Sequence, residues 1–92
     1  MKVVKLLIRG KVQCVGYRRW FEKEALKLHL KGYVKNLDDG DVEAVIIGNE
    51  QAVLSIIWHA YVGPLSANVS LIQQHDMNVQ VLCEFSDFKM LR

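Results

Sequence analysis

Tyr33-Val34-Lys35-Asn36-Leu37-Asp38-Asp39-Gly40-Asp41-Val42-Glu43-Ala44-Val45-Ile46-Ile47 is the stretch from which the fold can be read. Residues 33–35 and 42–47 are strand-like runs rich in β-branched side chains, and an Asp-Gly step lies between them. Asp-Gly flanked by such runs is a strong hairpin signal, because both residues tolerate the positive φ of tight turns. Gly48 closes the second strand, and Asn49 is placed to cap a helix over about residues 50–62. Val53, Ile56, Ile57 and Ala60 form that helix's buried stripe, and Gly63-Pro64 stops it.

Upstream, Val4, Leu6 and Ile8 alternate with Lys5 and Arg9, as expected of a half-buried strand ended by Gly10. From about residue 17 to 30 the period changes. Phe21, Ala25 and Leu28 fall at helical spacing with Trp20 beside them, Lys23, Lys27 and Lys31 line another face, and Gly32 is placed as the terminator. Downstream, Ala67, Val69 and Leu71 alternate as a strand, and Val79, Val81 and Cys83 begin a last one extending toward Phe88 and Met90. The order is β-α-β-β-α-β with an additional C-terminal strand. It predicts an α+β, ferredoxin-like split βαβ fold, with two helices on one face of a mostly antiparallel sheet. Residues 1–92 read as one domain, with no repeat or composition break. That fold hosts many activities and selects none.

Composition narrows the classes. Hydrophobic residues at 51% and charged residues at 24% exclude disorder, and no apolar run approaches the ~18 residues of a membrane span. The N-terminal apolar run is too short for a signal peptide, so a cytoplasmic protein with no membrane partner is expected. Cys14 and Cys83 form no CxxC, and His29, His59 and His75 match no metal spacing, so neither a metal nor any other cofactor is expected. Two reduced thiols are the expectation for that compartment; a Cys14–Cys83 disulfide stays open. The net charge of +2 is unevenly distributed: residues 1–36 carry ten basic residues against Glu22 and Glu24, whereas residues 37–92 carry two against eight acidic ones. An anionic partner for the first half follows, without a choice between nucleic acid, membrane surface and small phosphate compound.

Four groups are candidates for chemistry. Gly10-Lys11-Val12-Gln13-Cys14-Val15-Gly16-Tyr17-Arg18 is a glycine-bracketed loop feeding a helix, where backbone N–H groups can converge on an anion. Arg18 falls in the first helical turn, an unfavourable place for a cation unless an anion lies nearby; a surface loop with a solvated arginine is the plain alternative. The loop is no Walker A motif, because Val12 and Lys5 stand where Ser or Thr and Gly are required. Cys14 and Arg18 are too close for a cysteine phosphatase loop, so Cys14 is not read as a nucleophile. Asn36 is either turn chemistry or an amide able to hold a water. Asp38, Asp39 and Asp41 read as a solvated hairpin tip rather than a metal site. Leu54, Trp58 and Tyr61 on the second helix read as extra core rather than an oligomer contact.

The first two groups together are more specific. The segment from Ile8 to Arg18 resembles the signature loop of the acylphosphatase family, and the segment from Gly32 to Glu43, with Gly48 following, resembles that family's second signature. Gly63-Pro64, Ala67, Val69 and Phe88-Lys89-Met90 fall where the family has similar residues, so the likeness covers nearly the whole chain. The resemblance implies a metal-independent hydrolase that works as a monomer on small acyl phosphates. Arg18 would clamp the phosphate with the N–H groups of Cys14, Val15, Gly16, Tyr17 and Arg18, and Asn36 would orient the attacking water.

Two departures stand out. Cys14 replaces the family's usual Gly, at a cost of roughly 1 kcal/mol if the backbone there needs φ > 0. Tyr17 replaces the usual Phe, and its hydroxyl needs a partner or solvent. The alternative is a catalytically weak phosphate- or RNA-binding ferredoxin-like module. Against RNA, the strands lack a stacking aromatic cluster, and only Tyr33 is near the place for one.

Overall fold

The computed structural model describes residues 1–77 and 86–91. Its elements are β1 (Lys2–Lys11), α1 (Tyr17–Lys27), β2 (Lys31–Asn36), β3 (Val42–Gly48), α2 (Glu50–Val62), β4 (Asn68–Asp76) and β5 (Phe88–Met90). The sheet order is β4-β1-β3-β2-β5, antiparallel except for the parallel pair β2 and β5. This is the expected α+β, ferredoxin-like arrangement. The expected strand start at Val79, Val81 and Cys83 lies outside the described residues. No helix among the described residues is long and apolar enough to cross a membrane.

Period-2 patterning gives each central strand two different faces. Val4, Leu6 and Ile8 of β1, Val34 of β2 and Val42, Ala44 and Ile46 of β3 share one core with Phe21 and Ala25 of α1 and Val53, Ile56 and Ala60 of α2. Both helices therefore cover the same face. The opposite face holds a small apolar cluster of Val3, Val45 and Ile47, beside a polar knot around Glu43. Glu43 accepts from the Tyr33 hydroxyl at 2.7 Å and pairs with Lys5 at 3.4 Å and Lys35 at 3.7 Å. Burial pushes its carboxyl upward, but the Tyr33 hydrogen bond and the two ammonium groups outweigh that and hold it below the usual carboxylate range.

Three expectations need correction. Helix α1 ends at Lys27, before Gly32 is reached. The Leu30 amide donates to the Ala25 carbonyl at 3.0 Å and the His29 amide to the Leu26 carbonyl at 3.1 Å, with His29 at φ 58. This is a Schellman closure with histidine in the position glycine usually takes. Gly32 serves β2 instead: at φ 123 it lies so close to the Val45 carbonyl that any Cβ would collide with it.

The alternation expected in β4 breaks at Ser70. Gly10 pairs with Val69 and Arg9 with Leu71, so Ser70 is an extra residue, its hydroxyl donating to the Arg9 carbonyl at 3.1 Å. The bulge shifts the phase by one residue. Ile72 turns into the core, and Leu71 turns out to 45% exposure. Leu54, Trp58 and Tyr61 are not core either, at 55%, 73% and 53% exposure. Helix α2 meets the sheet along one stripe, and a two-layer fold has nothing to cover the opposite side.

Candidate active site

β1 delivers the chain at Lys11 into an irregular loop, and α1 begins at Tyr17. Two features keep that loop open toward solvent rather than closed on itself. Cys14 is left-handed at φ 62, and Gly16, the N-cap, is left-handed at φ 79 with no side chain to cap the helix. The first helical hydrogen bond runs from the Trp20 amide to the Gly16 carbonyl at 3.0 Å. The amides of residues 14–18 therefore donate to no acceptor among the described residues. Such a run of free N–H groups at a helix start forms an anion nest.

Gln13 anchors the loop to the β2–β3 hairpin. Its Nε2 donates to the Leu37 carbonyl at 2.8 Å and to the Asp41 carbonyl at 2.9 Å. The hairpin is closed by the Leu37 amide on the Asp41 carbonyl at 2.8 Å, and Arg9 grips the Asp41 carboxylate at 3.4 Å through Nε and Nη2. Asp41 is thus a buried brace, while Asp38 and Asp39 occupy the exposed tip. These contacts fix the end of β2, and with it Asn36, beside the loop.

A cavity of about 210 Å³ results, lined by Val12, Cys14, Gly16, Tyr17, Arg18, Arg19, Asn36 and Met90. It lies below the ~300 Å³ at which drug-sized ligand pockets begin, a size suited to a small polar group. Arg18 Nη1 donates to the Leu91 carbonyl, so the guanidinium is held from the far edge of the sheet. Asn36 Oδ1 is buried and has no hydrogen-bond partner among the described residues. An unpaired buried oxygen is costly unless a ligand or water supplies the donor.

The family model for acylphosphatase matches residues 4–90 of this chain. The chain belongs to the acylphosphatase family. It is 41% identical to an acylphosphatase of Rhodopseudomonas palustris over 80 residues, covering 87% of this chain and 81% of that one. It is 46% identical to an acylphosphatase of Azoarcus sp. over 71 residues, covering 77% and 72% of the two chains. The crystal structure of acylphosphatase from Bacillus subtilis is similar over the full length of both chains, with a TM-score of 0.93 at 32% identity.

In this acylphosphatase fold, Cys14, Gly16, Tyr17, Arg18 and Asn36 all border the cavity, and Val15 does not. Val15 packs its side chain on the core, leaving only its backbone available to the loop. Tyr17 resolves its departure from Phe internally: its hydroxyl donates to the Ala60 carbonyl at 2.7 Å, and burial pushes its pKa well up. Cys14 is a free, exposed thiol at the rim, and Cys83 lies outside the described residues. Sequence reasoning gave no individual site role to Gln13, Arg19, Met90 or the Leu91 carbonyl. Their contributions depend on contacts across the fold, such as the 73 residues separating Arg18 from Leu91.

Proposed function

We propose that this acylphosphatase hydrolyses the carboxyl–phosphate bond of small acyl phosphates in the cavity between the 12–18 loop and the end of β2. One observation carries the reading: Cys14, Gly16, Tyr17 and Arg18, whose amides are open, and Asn36, whose Oδ1 is unpartnered, line a single small cavity. The amides and the guanidinium would receive the three non-bridging phosphoryl oxygens. That is the arrangement phosphoryl transfer requires, since its catalysis is mostly positioning and charge stabilisation.

The Asn36 amide would hold a water by hydrogen bonding and aim the water's lone pair at phosphorus, opposite the carboxylate. The new bond forms from water oxygen to phosphorus, the phosphorus–oxygen bond to the acyl group breaks, and its electron pair leaves on the carboxylate. A non-bridging phosphoryl oxygen takes the water's proton, so the products are a carboxylate and dihydrogen phosphate. A carboxylate leaving group, whose acid has a pKa near ~4, needs neither a general acid nor a metal. The chain would work as a cytoplasmic monomer. Family membership does not favour the RNA-binding alternative, and the Tyr33 hydroxyl is engaged by Glu43.

The test is hydrolysis of benzoyl phosphate in EDTA and a thiol reductant, with Arg18→Ala beside the wild type. Turnover is expected to survive EDTA. Arg18→Ala is expected to lose at least ~100-fold in kcat/KM, because one oxyanion-type donor is worth ~3 kcal/mol or more. Near-normal turnover by Arg18→Ala would sink the assignment.

A further inference from the structure

Glu22 lies one helical turn beyond Arg18 on α1, so both side chains leave the same face of the helix. Glu22 makes no ion pair among the described residues, although the first half of the chain is rich in lysine and arginine. Its Oε2 instead accepts from the Met90 amide at 3.0 Å. The next residue, Leu91, presents the carbonyl that holds Arg18 Nη1, while its amide donates to the Val34 carbonyl at 2.8 Å. Residues 90 and 91 are therefore gripped from β2 on one side and from α1 on the other. Met90 is also part of the cavity lining.

We propose that Glu22 is a positioning residue for Arg18, acting through the Met90–Leu91 peptide. Glu22 fixes the strand end, the strand end fixes the Leu91 carbonyl, and that carbonyl sets the direction of the guanidinium over the cavity. A guanidinium is a planar fork whose value to a phosphate depends on its orientation, so a loosened anchor weakens anion binding even though the charge remains. The role requires a hydrogen-bond acceptor at residue 22 and not its negative charge. It rests on the reading of Arg18 as the phosphate clamp.

The experiment measures competitive inhibition of benzoyl phosphate hydrolysis by inorganic phosphate in Glu22→Ala, Glu22→Gln, Arg18→Ala and the double variant Glu22→Ala/Arg18→Ala. Glu22→Ala is expected to raise the phosphate inhibition constant and KM about tenfold, the scale of a lost hydrogen bond to a charged group, with a smaller change in kcat. Glu22→Gln, whose amide oxygen still accepts from the Met90 amide, is expected to restore wild-type phosphate binding. In the Arg18→Ala background, removing Glu22 is expected to change phosphate binding no further.

Three results would each overturn the proposal. One is a Glu22→Ala protein whose kcat falls while KM and phosphate inhibition stay at wild-type values, as a purely structural role dictates. Another is Glu22→Gln binding phosphate as weakly as Glu22→Ala. The last is an additive loss in the double variant. Should Glu22→Ala not fold, Glu22→Gln and the shorter Glu22→Asp carry the test, with only Gln expected to bind phosphate normally. An Arg18→Ala protein that binds phosphate as tightly as the wild type overturns the parent reading of Arg18 instead, which keeps the two failures distinct.

Discussion

The two helices begin in opposite ways. Helix α2 starts from Asn49, whose Oδ1 accepts from the Ala52 amide at 2.8 Å, and carries Glu50 in its first turn. Helix α1 starts from a left-handed glycine with no side-chain cap, no acid in its first turn, and Arg18 and Arg19 in place of one. The first arrangement satisfies orphan N–H groups and complements the helix dipole; the second leaves the amides open and sets positive charge beside positive dipole. With glycine as the N-cap, forgoing a side-chain cap costs α1 a few tenths of a kcal/mol, and the arginine placement costs a few tenths more. An anion relieves both costs at once. A capped helix start and an open one thus stand on the same face of one sheet.

The contrast can be sharpened by substitution. The largest effect is expected at the ligand end. Asn36→Ala should lower kcat by ~100-fold, the scale of misplacing a reacting group by about an ångström, with phosphate inhibition changed less than threefold. Steady-state kinetics with inorganic phosphate as inhibitor separates the two, and loss of phosphate affinity without loss of kcat would make Asn36 a turn residue only. At the capped end, Asn49→Ala should destabilise by about 1 kcal/mol, a fall of roughly 4–8 °C in Tm, with kcat/KM unchanged. Thermal unfolding followed by circular dichroism checks this, and a loss of turnover in folded Asn49→Ala would erase the distinction between the helices. The smallest effect is expected at Cys14, held at φ 62. Cys14→Gly removes the left-handed penalty but adds chain entropy, for a net gain of about 0.5 kcal/mol in urea unfolding. A destabilised Cys14→Gly would show that the thiol contributes packing that outweighs its strain.

What could be read in advance divides along similar lines. The Asp-Gly hairpin, the bounds of α2 and its Asn49 cap follow from local chemistry, so the residues alone specify them. The pairing of Arg18 with Asn36 came from the family resemblance rather than from local pattern. The misses arose where a distant contact overrode a local cue. Gly32 resembles a helix terminator, but the close approach of Val45 reserves it for β2, and backbone hydrogen bonds at His29 end the helix earlier. Leu71 alternates correctly with Val69 in sequence, yet one inserted residue, Ser70, reverses its face. Leu54, Trp58 and Tyr61 are apolar enough for a core, but burial depends on whether a further layer exists, which residue type does not reveal. The carbonyl of Leu91 carries no side-chain signature at all.

The bond from Arg18 to that carbonyl spans 73 residues, and the one from Met90 to Glu22 spans 68. Closing loops of that length is entropically expensive and slow, and topologies dominated by such contacts fold on millisecond-to-second timescales. The short-range parts, α1 and the β2–β3 hairpin, can form early. The anchored guanidinium exists only once β5 has docked alongside β2. On the proposed role of Arg18, phosphate affinity is consequently expected to be a late reporter of folding: a refolding chain would regain its helices first and its grip on the anion only when β5 has docked beside β2.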